Sequence, residues 1–197
     1  MMHKLSDTRQ PQGVLAVMCM PDNTASENRI DKLLSGNTAR EPHFLLALDG
    51  VSDPGNVGTL YRSAAWFSAA GLLLGPDCAE LYNPKVVRST AGATGSLAVV
   101  EQALPALLKT LEAAGYHIML LDLNASARSL YEVFSAPETR PSKVVMVIGN
   151  EAHGISEPLR QRFEAVFIPG TDAGVESLNA GVSGSIAMSF FHAAHHS

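Results

Sequence analysis

Residues 143–156 read KVVMVIGNEAHGIS. The five apolar residues from Val144 to Ile148 sit between Lys143 and a Gly149-Asn150 turn. A run this short, rich in valine and bounded by turn residues, reads as a strand buried on both faces. A polar loop bracketed by Gly149 and Gly154 follows, and a helical segment is expected over 156–162. The same unit recurs on either side. FLLALD (44–49), GLLLG (71–75), SLAVV (96–100), YHIMLLDL (116–123) and AVFIPG (165–170) are further short apolar runs. Helical segments are expected between and after them, over 57–68, 104–114, 129–134 and 177–192. Strands alternating with helices in this way mean an α/β fold, a parallel sheet flanked by helices. Residues 43–197 make up that domain. Residues 1–42 are read as an amino-terminal extension: a strand or linker around Val14 to Met20, then a polar stretch with a loose helical piece.

Composition removes several classes. Of the 197 residues 46% are hydrophobic and 17% charged, which excludes a disordered polyelectrolyte. No uninterrupted apolar stretch is long enough for a membrane-spanning helix. The start, MMHKLSDTRQPQ, offers no apolar core for a secretion signal. Two cysteines, Cys19 and Cys78, are too few for a disulfide framework, so a reduced, cytoplasmic setting is expected. The formal net charge is −5, without the basic surplus of a typical nucleic-acid binder.

Ligands of parallel sheets gather at the carboxyl ends of the strands, so the loops there carry the chemistry. After Asp49 comes GVSDPGNVGTLYR, in which Asp53-Pro54-Gly55 makes a turn and Asn56 is expected to cap a helix beginning at Val57. Gly58 permits close approach of a second backbone. Arg62 follows Asn56 by six residues and so does not stand directly above it. The loop GNEAHG (149–154) exposes backbone donors and acceptors, with Glu151 at its tip. It matches neither the dinucleotide nor the P-loop glycine pattern, which argues against a nucleotide-dependent oxidoreductase. Before the terminal helix, Glu176, Ser177 and Asn179 place three polar groups where capping alone explains one.

Together these segments resemble the SpoU/TrmH branch of the SPOUT RNA methyltransferases. The N-x-G-x-x-x-R core is Asn56 to Arg62, the glycine–glutamate loop is Gly149 to Gly154, and I-P followed by E-S-L-N is Ile168-Pro169 and Glu176 to Asn179. LYNPKVVRSTAGATGSL (81–97) matches a fourth stretch. Two departures stand out: IPGTDAGV is one residue longer than the usual spacing, and Ala180-Gly181-Val182-Ser183 replaces the usual continuation. The resemblance implies a deep carboxyl-terminal trefoil knot across 144–192, a homodimer and S-adenosylmethionine as cofactor. It implies that Leu121, Gly149, Gly154, Ile168 and Leu178 line the cofactor and that no metal is used. The implied reaction is methylation of a ribose 2′-hydroxyl in RNA, with large-subunit ribosomal RNA placed ahead of transfer RNA. A catalytically silent RNA-binding relative is the alternative. Arg62 is the implied catalytic centre, as an electrostatic stabiliser because a guanidinium holds its proton above about pH 12. Asn56, Glu151, Ser177 and Asn179 would complete that site, and Lys85 and Arg88 would contact RNA phosphates. The PQGV segment near the start resembles a linker following an amino-terminal RNA-binding domain, so the chain is expected to be a piece of a longer enzyme. The histidines at 192, 195 and 196 are expected to form a frayed tail.

Overall fold

The computed structural model describes residues 43–124, 126–171, 174 and 177–196, together with Cys19. The strand and helical piece expected before residue 43 lie outside them, as does Glu176. Strands β1 (His43–Asp49), β2 (Gly71–Leu74), β3 (Ala98–Glu101), β4 (His117–Leu121), β5 (Arg128–Ser129), β6 (Lys143–Gly149) and β7 (Glu164–Phe167) form one sheet. Its order is β3-β2-β1-β6-β4-β7-β5, and every pairing is parallel. The helices are α1 (Pro54–Trp66), α2 (Pro84–Ser89), α3 (Leu104–Ala113), α4 (Leu130–Ser135), α5 (Glu157–Arg160) and α6 (Ala180–His196). Among the described residues no helix is long and apolar enough to cross a membrane.

The continuous apolar runs of β1 and β6 are explained by cover on both faces. Successive strand side chains point to opposite sides of the sheet. Phe44, Leu46 and Leu48 join Val144, Met146 and Ile148 in a core with residues of α1, α4 and α6. Leu45 and Ala47 join Val145 and Val147 in a second core with α3, Ile155 and Leu159.

Four local features differ from the sequence reading. α1 begins at Pro54, because Asp53 takes the cap: its Oδ1 accepts the Asn56 N–H at 2.9 Å. Proline suits the first helical position, where its missing N–H costs nothing, and the Asn56 side chain is thereby released for other work. Residues 84–89, absent from the expected helices, form α2, capped by Asn83 Oδ1 on the Lys85 N–H at 2.9 Å. β5 escaped notice because two residues paired with β7 at Arg128↔Val166 and Ser129↔Phe167 carry no periodicity. Finally, α6 runs unbroken to His196, and its histidines are packed: His195 stacks on Phe191 at 4.3 Å and His192 meets Phe67 at 5.6 Å.

α1 and α2 touch through Gly58, where a Cβ would stand 2.4 Å from Ser89 Cβ and 2.7 Å from the Val86 carbonyl oxygen. Backbone cannot yield as a side-chain tip can. Gly58→Ala is expected to destabilise the fold by about 1–3 kcal/mol despite alanine's better helix propensity. Urea unfolding checks this, and an unchanged midpoint would contradict the packing assignment.

At the opposite end of the sheet, buried His43 bonds the Tyr116 hydroxyl through Nδ1. Burial, reinforced by Lys143, holds the His43 imidazole below its ordinary pKa of 6.5. The folded state therefore resists a proton that the unfolded chain accepts, and the stability present above pH 6.5 is lost as pH falls below it. Unfolding free energies measured from pH 7.5 down to about 5 should decline, and His43→Phe should flatten that slope.

Candidate active site

The register Asp49↔Gly149 sets the carboxyl ends of β1 and β6 side by side, so their two loops meet. The loop after β6 is closed by its own backbone: Asn150 and Gly154 exchange N–H···O bonds of 2.9 and 2.8 Å. The Asn150 side chain fixes it further. Its Nδ2 donates to the Gly50 carbonyl at 2.7 Å, and its Oδ1 accepts from the Ala152 and His153 N–H groups at 2.8 and 3.0 Å. Gly149 has no alternative here, because a Cβ would stand 2.4 Å from the Gly154 carbonyl carbon.

This loop aims Glu151 at the start of α1. Asn56 Nδ2 donates to Glu151 Oε1 at 2.8 Å, and the Ser52 N–H reaches Glu151 Oε2 at 3.4 Å. Asn179 Nδ2 in turn donates to Asn56 Oδ1 at 2.9 Å. Asn179 Oδ1 then caps α6 by accepting the Val182 N–H at 3.2 Å. Residues 56, 151 and 179 thus form one directional chain. A carboxylate accepts only, so Asn56 must present its NH₂ to Glu151 and its oxygen to Asn179. Asn56 is buried at 9% exposure, which makes both partners necessary.

The other predicted residues fall into three places. Leu121, Gly149 and Ile168 stand together at the carboxyl edge of adjacent strands: Leu121 pairs with Ile148 on one side and Val166 on the other. Leu121 and Ile168 are partly buried, Gly154 adopts φ +70°, and Leu178 is 49% exposed just ahead of α6 beside exposed Ser177. Arg62 lies elsewhere. Six residues turn a helix by about 240° beyond one full turn, so Arg62 opens to solvent while Asn56 points inward. Among the described residues Arg62 has neither an ion pair nor a side-chain hydrogen bond. The third group is basic: Lys85 Nζ pairs with Asp53 Oδ2 at 3.2 Å, whereas Arg88 is exposed at the end of α2. The Asn56 N–H, helped by Lys85, holds the Asp53 carboxyl below the usual carboxylate range.

The sequence pattern of the SpoU rRNA methylase family matches residues 43–189. This chain belongs to that family. An uncharacterized tRNA/rRNA methyltransferase of Synechocystis sp. is 31% identical over 185 residues, covering 91% of this chain and 60% of that protein. The 23S rRNA (guanosine(2553)-2′-O)-methyltransferase RlmP of Bacillus subtilis is 29% identical over 182 residues, covering 92% and 65%. Among solved structures, the AdoMet-bound rRNA methyltransferase of Sinorhizobium meliloti superposes with a TM-score of 0.72 at 25% identity, covering 83% of this chain and 60% of that one. The chain therefore spans less than two thirds of the length of these relatives.

Around these residues, Asp53 and Asn150 take roles that the sequence reading did not give them. Asp-Pro ahead of an apolar helix is a helix-start signal that would have found Asp53. Asn150 acts through contacts no spacing reveals, to Gly50 and to the Ala152 and His153 N–H groups.

Asn56→Asp tests the directional chain. A carboxylate there faces Glu151 as a like charge and loses the donor, costing about 1–3 kcal/mol at pH 7. The loss should shrink toward pH 5, where a proton shared between the two carboxyls restores a donor. Chemical denaturation of both proteins at the two pH values checks this; a penalty independent of pH would contradict it.

Proposed function

We propose that this chain binds S-adenosylmethionine at the carboxyl ends of β6, β4 and β7 and methylates a ribose 2′-hydroxyl of RNA, with ribosomal RNA ahead of transfer RNA. The observation that carries the reading is the Glu151–Asn56–Asn179 chain, which locks the three family segments to one another. The residues present suit the cofactor. Half-buried Leu121 and Ile168 and exposed Leu178 offer aliphatic surface for a purine, and the tight Gly149 turn presents backbone donors and acceptors. When bound, that cofactor supplies a methyl group already activated on its sulfonium. The same reading implies a knotted path for residues 144–192.

The remaining task belongs to the protein: a ribose hydroxyl must lose its proton while negative charge grows on oxygen. Arg62 meets the second need. Its guanidinium stays charged and offers a rigid fork of donors suited to a phosphate and a developing alkoxide. Asn56 and Glu151 hold the loops, and Ser177 and Asn179 shape the entrance. Arg62 and this polar chain face different ways in one protomer, so the complete site is read as shared across a homodimer. Trp66, 81% exposed one turn beyond Arg62, and Val182, 47% exposed on α6, offer apolar surface for that contact.

Transfer of labelled methyl groups into ribosomal RNA is the direct test. Arg62→Ala should lower the rate by about a hundredfold or more, equivalent to roughly 3 kcal/mol in the transition state. Calorimetry should find cofactor affinity unchanged in the same variant. Mixing Arg62→Ala with Leu178→Glu subunits should restore about one quarter of wild-type activity, since each mixed dimer regains one site. No recovery would contradict the shared site, and absence of transfer by the wild-type protein would contradict the activity.

A further inference from the structure

Four ion pairs join described side chains, and one differs from the rest in burial. In three of them each partner's side chain is 44–56% exposed. Arg160 and Asp122 are 38% and 16% exposed, with Arg160 Nε 3.0 Å from Asp122 Oδ2. Solvent screens this pair least. Its position is informative as well. Asp122 follows β4 directly, and its N–H is bonded to the Val166 carbonyl at 3.0 Å. Arg160 ends α5, on the far side of the loop 149–156. To reach Asp122, the guanidinium crosses that loop at Gly154: a Cβ there would stand 2.5 Å from Arg160 Nη2. Gly154 therefore serves twice, adopting φ +70° and leaving room for the arginine.

The ends of the loop are tied separately to β1. Asn150 bonds Gly50, and the Ser156 N–H donates to Asp49 Oδ2 at 2.7 Å. Between those ties, the guanidinium lies over Gly154 and fastens the loop to the β4 end.

We infer that Arg160 and Asp122 are positioning residues that strap the 149–154 loop against the end of β4 and so set the width of the cofactor cleft. The inference rests on the cofactor reading above, because Leu121 and Gly149, the two walls joined by the strap, are its proposed lining. Neither residue touches the reacting atoms. The strap keeps the loop in its binding-competent form, and a loop competent only a tenth of the time weakens apparent affinity about tenfold.

Two measurements on the full chain test this, using Asp122→Asn, Arg160→Met and the double variant. Hydrogen exchange of the ligand-free protein should show faster exchange at the Gly154 amide in all three. Calorimetry with S-adenosylmethionine should show affinity weakened about tenfold, and equally in the double variant, since all three break one contact. In methyl transfer the cofactor KM should rise while kcat at saturating cofactor and the KM for RNA stay within about twofold. A merely structural role would instead lower kcat and both affinities together. Unchanged exchange, or unchanged affinity in variants of a wild-type protein that binds the cofactor, overturns the strap. Faster exchange with no cofactor binding by the wild-type protein overturns the cofactor reading, and with it the role assigned here.

Discussion

β1 and β6 lie side by side over seven paired residues, and both are covered on each face by helices. That burial fixes the register, because a slip of one residue would exchange the side chains of the two cores. Register in turn puts Asp49 opposite Gly149, so two loops separated by a hundred residues of chain begin at one point. Each contact in the polar chain depends on this. Asn150 reaches Gly50, Glu151 reaches Asn56 and Asp49 reaches Ser156 because the two strands end level.

The third member arrives by helix packing. α6 crosses α1 closely: a Cβ at Gly184 would stand 2.3 Å from Leu60 Cδ2, and Ser63 and Ser185 share a 2.8 Å hydroxyl contact. This approach brings Asn179, the cap of α6, onto Asn56 near the start of α1. The small residues Gly184 and Ser185 therefore let the polar chain close. A larger side chain at 184 would act on the site although it touches none of its polar atoms.

Much of this is legible in the sequence. Six of the seven strands announce themselves as short apolar runs, because their central residues are buried and charge is confined to their ends. β5 and α2 did not, since two residues carry no period and α2 buries only Val86. The site shows the same division. Asn56, Glu151 and Asn179 stand out in the sequence as motif residues, but their linkage in a donor-to-acceptor chain depends on topology that spacing cannot express. The cap was misplaced for a related reason: asparagine and aspartate both cap helices, and only the structure shows that Asp53 takes the role so that Asn56 need not. Helical geometry alone separates Arg62 from Asn56, and within one protomer Arg62 bonds none of Asn56, Glu151, Ser177 and Asn179, with which the sequence reading grouped it.

Asparagine at 56 is itself constrained by physical chemistry. The position needs a donor toward Glu151 and an acceptor toward Asn179 at once, in a setting too dry to leave either unmet. Aspartate lacks the donor, serine is too short to span both partners, and leucine satisfies neither. An amide meets both needs and does not titrate. The asymmetry of the amide fixes the direction of both contacts, donor toward Glu151 and acceptor toward Asn179. Two of the three members of the chain are amides, whose donor and acceptor ends cannot exchange roles by gaining or losing a proton, so the segments carrying residues 56, 151 and 179 are tied in one order.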